Sequence, residues 1–179
     1  MNQITAVRRL SEFDARGHYV YARADLTKIF HEDSPRTLQA GLDRLVSKNI
    51  LLRVARRIYV YALSRNIGSD TLEQIARTIR RGEYNYVSLE SALSEYGIIS
   101  QILMDRLTVM TTGRKGEYKT PFGVIEFTHT ARATNDILDG IRPVGRPLRM
   151  ASPATACRDL KRVGRNTHLI QEERVGEGH

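Results

Sequence analysis

The chain has 179 residues, enough for one or two small domains, and an apolar fraction of 41%, enough for a packed core. Its 28 Lys and Arg against 20 Asp and Glu leave a formal charge of +8, which favours an acidic partner, nucleic acid first. The single cysteine, Cys157, excludes an internal disulfide; with no bilayer-length apolar run and no signal-type apolar segment in MNQITAVRRL, a cytoplasmic protein without a membrane partner is expected.

The charge is uneven. Residues 1–62 hold 11 Lys and Arg against 6 Asp and Glu, a net of +5, whereas residues 63–179 hold 17 against 14, a net of +3. The shorter front part carries most of the excess, so a nucleic-acid surface is expected there.

Ile4, Val7, Leu10 and Phe13 recur every third residue and predict an amphipathic first helix, stopped at Gly17. His18 to Tyr21 reads as one short strand. Arg23 to Phe30 reads as a second helix with Leu26, Ile29 and Phe30 inward, and HEDS as a polar turn of helix-turn-helix length.

The stretch Ser34–Tyr61 is the centre of the argument. Ser34 is a good N-cap, and Pro35 sits at the first helical position, where its missing N–H costs nothing. Leu38, Leu42 and Leu45 then form one apolar stripe, and Asn49 is a C-terminal stop. Two strands rich in β-formers follow, near Leu51–Val54 and Ile58–Tyr61, joined by Ala55, Arg56 and Arg57. The order helix, strand, helix, turn, helix, basic hairpin is that of a winged helix-turn-helix. Its third helix would enter the major groove and its wing would lie along the phosphates. The DNA-binding residues expected are Ser34, Arg36, Thr37, Gln39, Arg44 and Lys48 on the helix, and Arg53, Arg56 and Arg57 on the wing. The plainer alternative is a solvated helix beside an ordinary hairpin.

Asn66 and Gly68 mark a boundary in the link Leu63–Ser69. Asp70 opens the next helix with Glu73 as an approximate capping box, and Leu72, Ile75, Ala76 and Ile79 line one face. Ser88 caps a further helix with Leu89, Ala92, Leu93 and Tyr96 on one face, stopped at Gly97. From Arg106 the period changes to two. A strand over Leu107–Thr111, the turn TGRKGE, a short strand around Tyr118, a turn around Pro121 and Gly123, and a strand over Val124–His129 predict a small antiparallel sheet. LRM near 148 adds an edge strand. Ser152 and Pro153 start a last helix, and a loose polar tail follows Val163. The expected class is therefore α+β. It comprises a winged helix-turn-helix over 1–62, an α+β domain with an antiparallel sheet over 69–163, and a flexible tail over 164–179.

NYVSLESALSEYGIIS, LTVMTTGRKGEYKTPFGVIEFTHT and MASPATACRDL resemble the AbiEi-type antitoxins of abortive-infection and type IV toxin–antitoxin systems. The front part fits as well, because that family opens with a winged helix-turn-helix whose wing ends in an R-G-x-Y-like pattern. Arg56, Arg57, Ile58 and Tyr59 stand there in this chain, with arginine in the glycine position. The resemblance implies a promoter-binding autorepressor acting on inverted repeats. It also implies an activity against a nucleotidyltransferase-type toxin encoded alongside. The alternative is a free-standing winged-helix regulator with no toxin, and the neighbouring gene would distinguish the two.

Catalysis competes weakly. His18, His31, His129, His168 and His179 are scattered, and none has a metal-ligand spacing with another histidine or with Cys157. Glu90 and Glu95 are spaced so that they do not share a helical face. Gly113 to Gly116 reads as a hairpin turn, wrongly placed for a phosphate loop. No catalytic residue, metal or cofactor is therefore expected. Arg77, Arg80, Arg81, Arg114 and Lys115 form a possible second basic patch, with a solvated face as the alternative. RNA binding is a weaker reading, because Tyr19, Tyr21, Tyr59 and Tyr61 are expected in the core of the front domain.

Overall fold

The computed structural model describes residues 1–100 and 104–170. Among them are seven α-helices and two sheets, a mixed α+β fold. The chain divides into two compact units, one ending at Ile79 and the other beginning at Arg80.

The first unit runs α1 (Gln3–Asp14), β1 (Val20–Ala22), α2 (Arg23–Ile29), α3 (Pro35–Ser47), β2 (Leu51–Ala55), β3 (Ile58–Tyr61) and α4 (Thr71–Ile79). Its sheet has the order β1-β3-β2, and both pairings are antiparallel. The helix α3 starts where its sequence directs: the Ser34 hydroxyl accepts the Thr37 N–H at 3.2 Å, and Pro35 follows. Leu38, Leu42 and Leu45 are at most 2% exposed, a stripe worth roughly 1.5–3 kcal/mol per side chain. Asn49 ends the helix in the left-handed region at φ 54°. Tyr19, Tyr21, Tyr59 and Tyr61 are all buried in this unit.

The first helix buries a different line from the one its spacing suggests. Ala6, Leu10 and Asp14 face inward, four residues apart, while Ile4 is 79% exposed. A three-residue apolar spacing drifts around a 3.6-residue helix, so its first member leaves the contact face.

The link after β3 is folded onto the end of α1. The buried Asp14 carboxylate accepts the Ser64 hydroxyl, the Asn66 amide at 2.8 Å and the Arg65 N–H at 3.2 Å. Burial opposes its ionisation, but these hydrogen bonds outweigh burial and hold the carboxyl below its ordinary value. The helix α4 then packs on β1 and β3, and Thr71 meets the Tyr19 hydroxyl at 3.1 Å. The division therefore falls after α4, where the sequence suggested the link 63–69. Ile75 and Ala76, both 0% exposed, are part of this unit's buried core.

The second unit runs β4 (Asn85–Val87), α5 (Leu89–Glu95), β5 (Arg106–Thr111), β6 (Gly116–Thr120), β7 (Gly123–His129), α6 (Thr134–Gly140), β8 (Ile141–Arg142), β9 (Arg149–Ala151) and α7 (Pro153–Val163). Its six-stranded sheet has the order β6-β7-β5-β4-β9-β8. The sheet is mixed and not the antiparallel one expected: β5 runs parallel to β7, and β4 parallel to β9. Consequently 113–116 is no hairpin turn. It joins β5 to β6, but β6 pairs with β7, which lies between them. The LRM strand is β9, which is interior, and β8 is the edge. Alternation in a sequence reports the two faces of a strand, not the identity of its neighbours.

Ser88 occupies the N-cap position of α5 without capping it, since its hydroxyl donates to Asp159 at 2.8 Å. The helix α7 starts as expected, with the Ser152 hydroxyl accepting the Thr155 N–H; Gly164, expected only as part of the tail, ends it in the left-handed region. The expected loose tail is anchored at its start. Arg165 and Asn166 bond to Glu90, and a short 3-10 turn spans Thr167–Leu169. Residues 171–179 of the expected tail lie outside the described residues.

Candidate nucleic-acid interface

Arg36 and Thr37 lie in the first turn of α3 and are exposed, with no buried partner to withhold them. Ser34 is exposed too, but its oxygen is committed to the cap and to the Thr37 hydroxyl at 2.9 Å. One helical turn on, Gln39 is engaged at both ends of its amide. Its oxygen accepts from the Arg23 guanidinium, and its nitrogen donates to Asp43 Oδ1 at 2.9 Å. Arg23 also donates to the Pro35 carbonyl at 3.3 Å. Gln39 is therefore built into the scaffold of this surface instead of standing free on it.

Arg44 and Lys48 turn to one side, towards the start of α1. Arg44 donates to the Met1 carbonyl at 3.2 Å, and Lys48 to the side-chain amide oxygen of Gln3. With Met1, Gln3, Gly41 and Leu45 they line a cleft of about 60 Å³, far below the size of a small-molecule site. Both side chains remain exposed and cationic at the flank of α3.

The hairpin β2–β3 presents Arg53, Arg56 and Arg57, all exposed. Its register slips between Arg53 and Ala55, so Ala55 faces Ile58 across a turn made by Arg56 and Arg57. Arg57 adopts φ 63°, a left-handed conformation that a glycine accepts freely and an arginine at a cost. The Arg57 carbonyl accepts the Arg23 N–H at 2.8 Å, and the Asp25 carboxylate accepts the Ala22 N–H at 2.9 Å. Arg23 thus touches the hairpin tip through its backbone and α3 through its side chain. The sequence reading passed over Arg23; its only signal was a cation at the start of a helix.

Arg57→Gly is expected to stabilise the fold by about 0.5–1 kcal/mol, the relief of left-handed strain less the entropy of a glycine. The same change should lower affinity for duplex DNA. Thermal unfolding and a binding titration on one preparation check the two opposite signs. A loss of stability would show that the arginine side chain holds the turn.

The other candidate groups are placed as follows. The Arg80 guanidinium lies 4.5 Å from the Phe127 ring centre and 5.3 Å from that of Tyr118. It also donates to the Arg114 carbonyl at 2.9 Å, so it serves the second unit internally. Arg77, Arg81, Arg114 and Lys115 are exposed. Cys157 is buried, and this burial pushes its thiol up and keeps it protonated against the opposing pull of Lys161. Glu90 is buried while Glu95 is exposed and pairs with Arg146 at 3.0 Å, so the two carboxylates serve different contacts. Among the described residues no group of three or more His, Cys, Asp or Glu could hold a metal ion. None of the described helices is long and apolar enough to cross a membrane.

These features define a two-unit α+β protein with a cationic helix and hairpin on its first unit. The chain belongs to the family described as Family of unknown function (DUF6088), whose model matches residues 16–142, from just after α1 through β8. No curated protein matches the chain.

Proposed function

We propose that the first unit is a winged helix-turn-helix that binds promoter DNA, with α3 in the major groove and β2–β3 as the wing. The observation that carries this reading is the pairing of exposed Arg36 and Thr37 at the start of α3 with exposed Arg53, Arg56 and Arg57 on the hairpin. Groove readers need polar groups on the first turns of a helix, and phosphate contacts need cations beside it. We propose further that the protein is an AbiEi-type antitoxin. In this reading it represses its own promoter at inverted repeats and counteracts a nucleotidyltransferase-type toxin through the second unit. Support for that part is the resemblance of residues 85–160 to those antitoxins.

A free-standing repressor is the second reading. What favours it is that the second unit spends Arg80, Arg106 and Arg165 on its own rings and carboxylates.

The test separates the two activities. Arg36→Ala should weaken binding to the chain's own promoter region by about tenfold, the loss of one base-contacting arginine. Growth rescue from an adjacent nucleotidyltransferase toxin should persist in the same variant. Wild-type promoter affinity in both Arg36→Ala and Thr37→Ala would reject the groove placement. Loss of rescue in a folded, abundant Arg36→Ala protein would reject the two-module reading. If the wild-type protein represses its promoter but gives no rescue from such a toxin, the free-standing repressor stands.

A further inference from the structure

The exposed line of α3 runs through Arg36, Ala40, Asp43 and Ser47, opposite the buried Leu38, Leu42 and Leu45. A carboxylate therefore stands near the middle of a surface otherwise suited to phosphates. On such a surface Asp43 costs affinity on every sequence, because it repels the DNA backbone. That cost is offset only where the groove offers a lone hydrogen-bond donor.

Asp43 is exposed, but one of its oxygens is held. Arg23 donates to the Gln39 oxygen, and Gln39 donates to Asp43 Oδ1 at 2.9 Å, so a relay fixes the carboxylate from one side. Its other oxygen, Oδ2, has no partner among the described residues. The base edges then select among themselves. Guanine offers two acceptors in the major groove, and thymine an acceptor and a methyl group. Adenine offers its N6 donor beside the N7 acceptor, which repels a carboxylate. Cytosine offers N4–H₂ with no acceptor of its own beside it.

We propose that Asp43 is a specificity-determining residue that accepts a hydrogen bond from cytosine N4, with Gln39 and Arg23 as its positioning residues. The proposal rests on the winged-helix reading above. Arg36 and Asp43 are two helical turns apart, about 10 Å, so their bases lie about three base-pair steps apart.

Selection from a randomised duplex library with the full chain tests this. The wild type should recover a motif with a fixed C·G pair about three steps from a fixed G·C pair. Asp43→Asn should redirect the first of these to A·T, because an asparagine amide matches adenine N6 and N7. Asp43→Ala should lose about tenfold of the discrimination at that pair and keep the rest of the motif. Arg23→Ala should reduce discrimination at the same pair with an unchanged salt slope; unchanged discrimination would overturn the relay. Should Asp43→Ala recover the wild-type motif, at equal or uniformly tighter affinity, Asp43 is only a repulsive charge and the proposal fails. Should the wild type select no duplex at all, the winged-helix reading fails first, and this proposal with it.

Discussion

The variant Arg53→Ala/Arg56→Ala/Arg57→Gly is expected to bind duplex DNA about a hundredfold more weakly at physiological salt, on all sequences alike. Each lost phosphate contact removes about 0.9 from the slope of log K against log salt, so three remove about 2.7. The three side chains are exposed on one hairpin, and none of them pairs with a carboxylate among the described residues. Glycine at 57 is chosen because alanine there would inherit the strain of φ 63° without the charge. Titrations at several salt concentrations, on the promoter and on an unrelated duplex, measure the effect. A variant that kept the wild-type slope but lost its preference for the promoter would mean that the hairpin reads bases.

Arg165→Ala should destabilise the second unit by about 2 kcal/mol at neutral pH. Arg165 donates to both oxygens of Glu90, at 2.8 and 3.1 Å, and to Glu126, which Arg106 also contacts at 2.9 Å. Glu90 is 3% exposed, so removing its cation leaves a buried carboxylate without its main partner. A fully buried pair would cost roughly 3–5 kcal/mol to break in this way; Arg165 is 36% exposed, and water entering its place lowers the figure.

The pH dependence has a definite sign. Burial opposes the ionisation of Glu90, but Arg165 and Asn166 outweigh it and hold its carboxyl below the ordinary value. In the wild type this contribution is full above the ordinary carboxylate range and is lost as pH falls through the depressed folded value. In the variant burial acts with far less opposition, so Glu90 should take up a proton at higher pH than in the unfolded chain. The stability gap between variant and wild type should therefore shrink on acidification. Thermal unfolding at neutral and acid pH, with Glu90→Gln/Arg165→Ala as the partner variant, checks it. A gap independent of pH would mean that Arg165 acts through packing alone.

The division after α4 bears on how the two units are separated in experiments. A fragment beginning at the link 63–69 would carry α4 without the β1 and β3 strands that it covers. A fragment beginning at Arg80 keeps that residue's rings, Tyr118 and Phe127, and is the better form in which to look for toxin rescue.

Most local elements and their ends were legible in the residues. Ser34 before Pro35, Ser152 before Pro153, and the left-handed stop at Asn49 depend on backbone dihedrals and on hydrogen bonds spanning at most four residues. The apolar stripe of α3 was legible for the same reason, and so was the exposure of Arg36 opposite it. The neighbours of each element were set by how the chain packs. That packing set β7 beside β5, took Gln39 into the Arg23–Asp43 relay, and held Asp14 to Ser64 and Asn66. It also closed Arg165 on Glu90 and laid Arg80 over aromatic rings. Apart from the local Gln39–Asp43 bond, these pairings join residues from about 16 to 75 positions apart. Which polar groups meet at such range depends on which surfaces lose water together on folding. The charge on a helix face was therefore readable from the sequence, but whether each charge was free or already bonded was not.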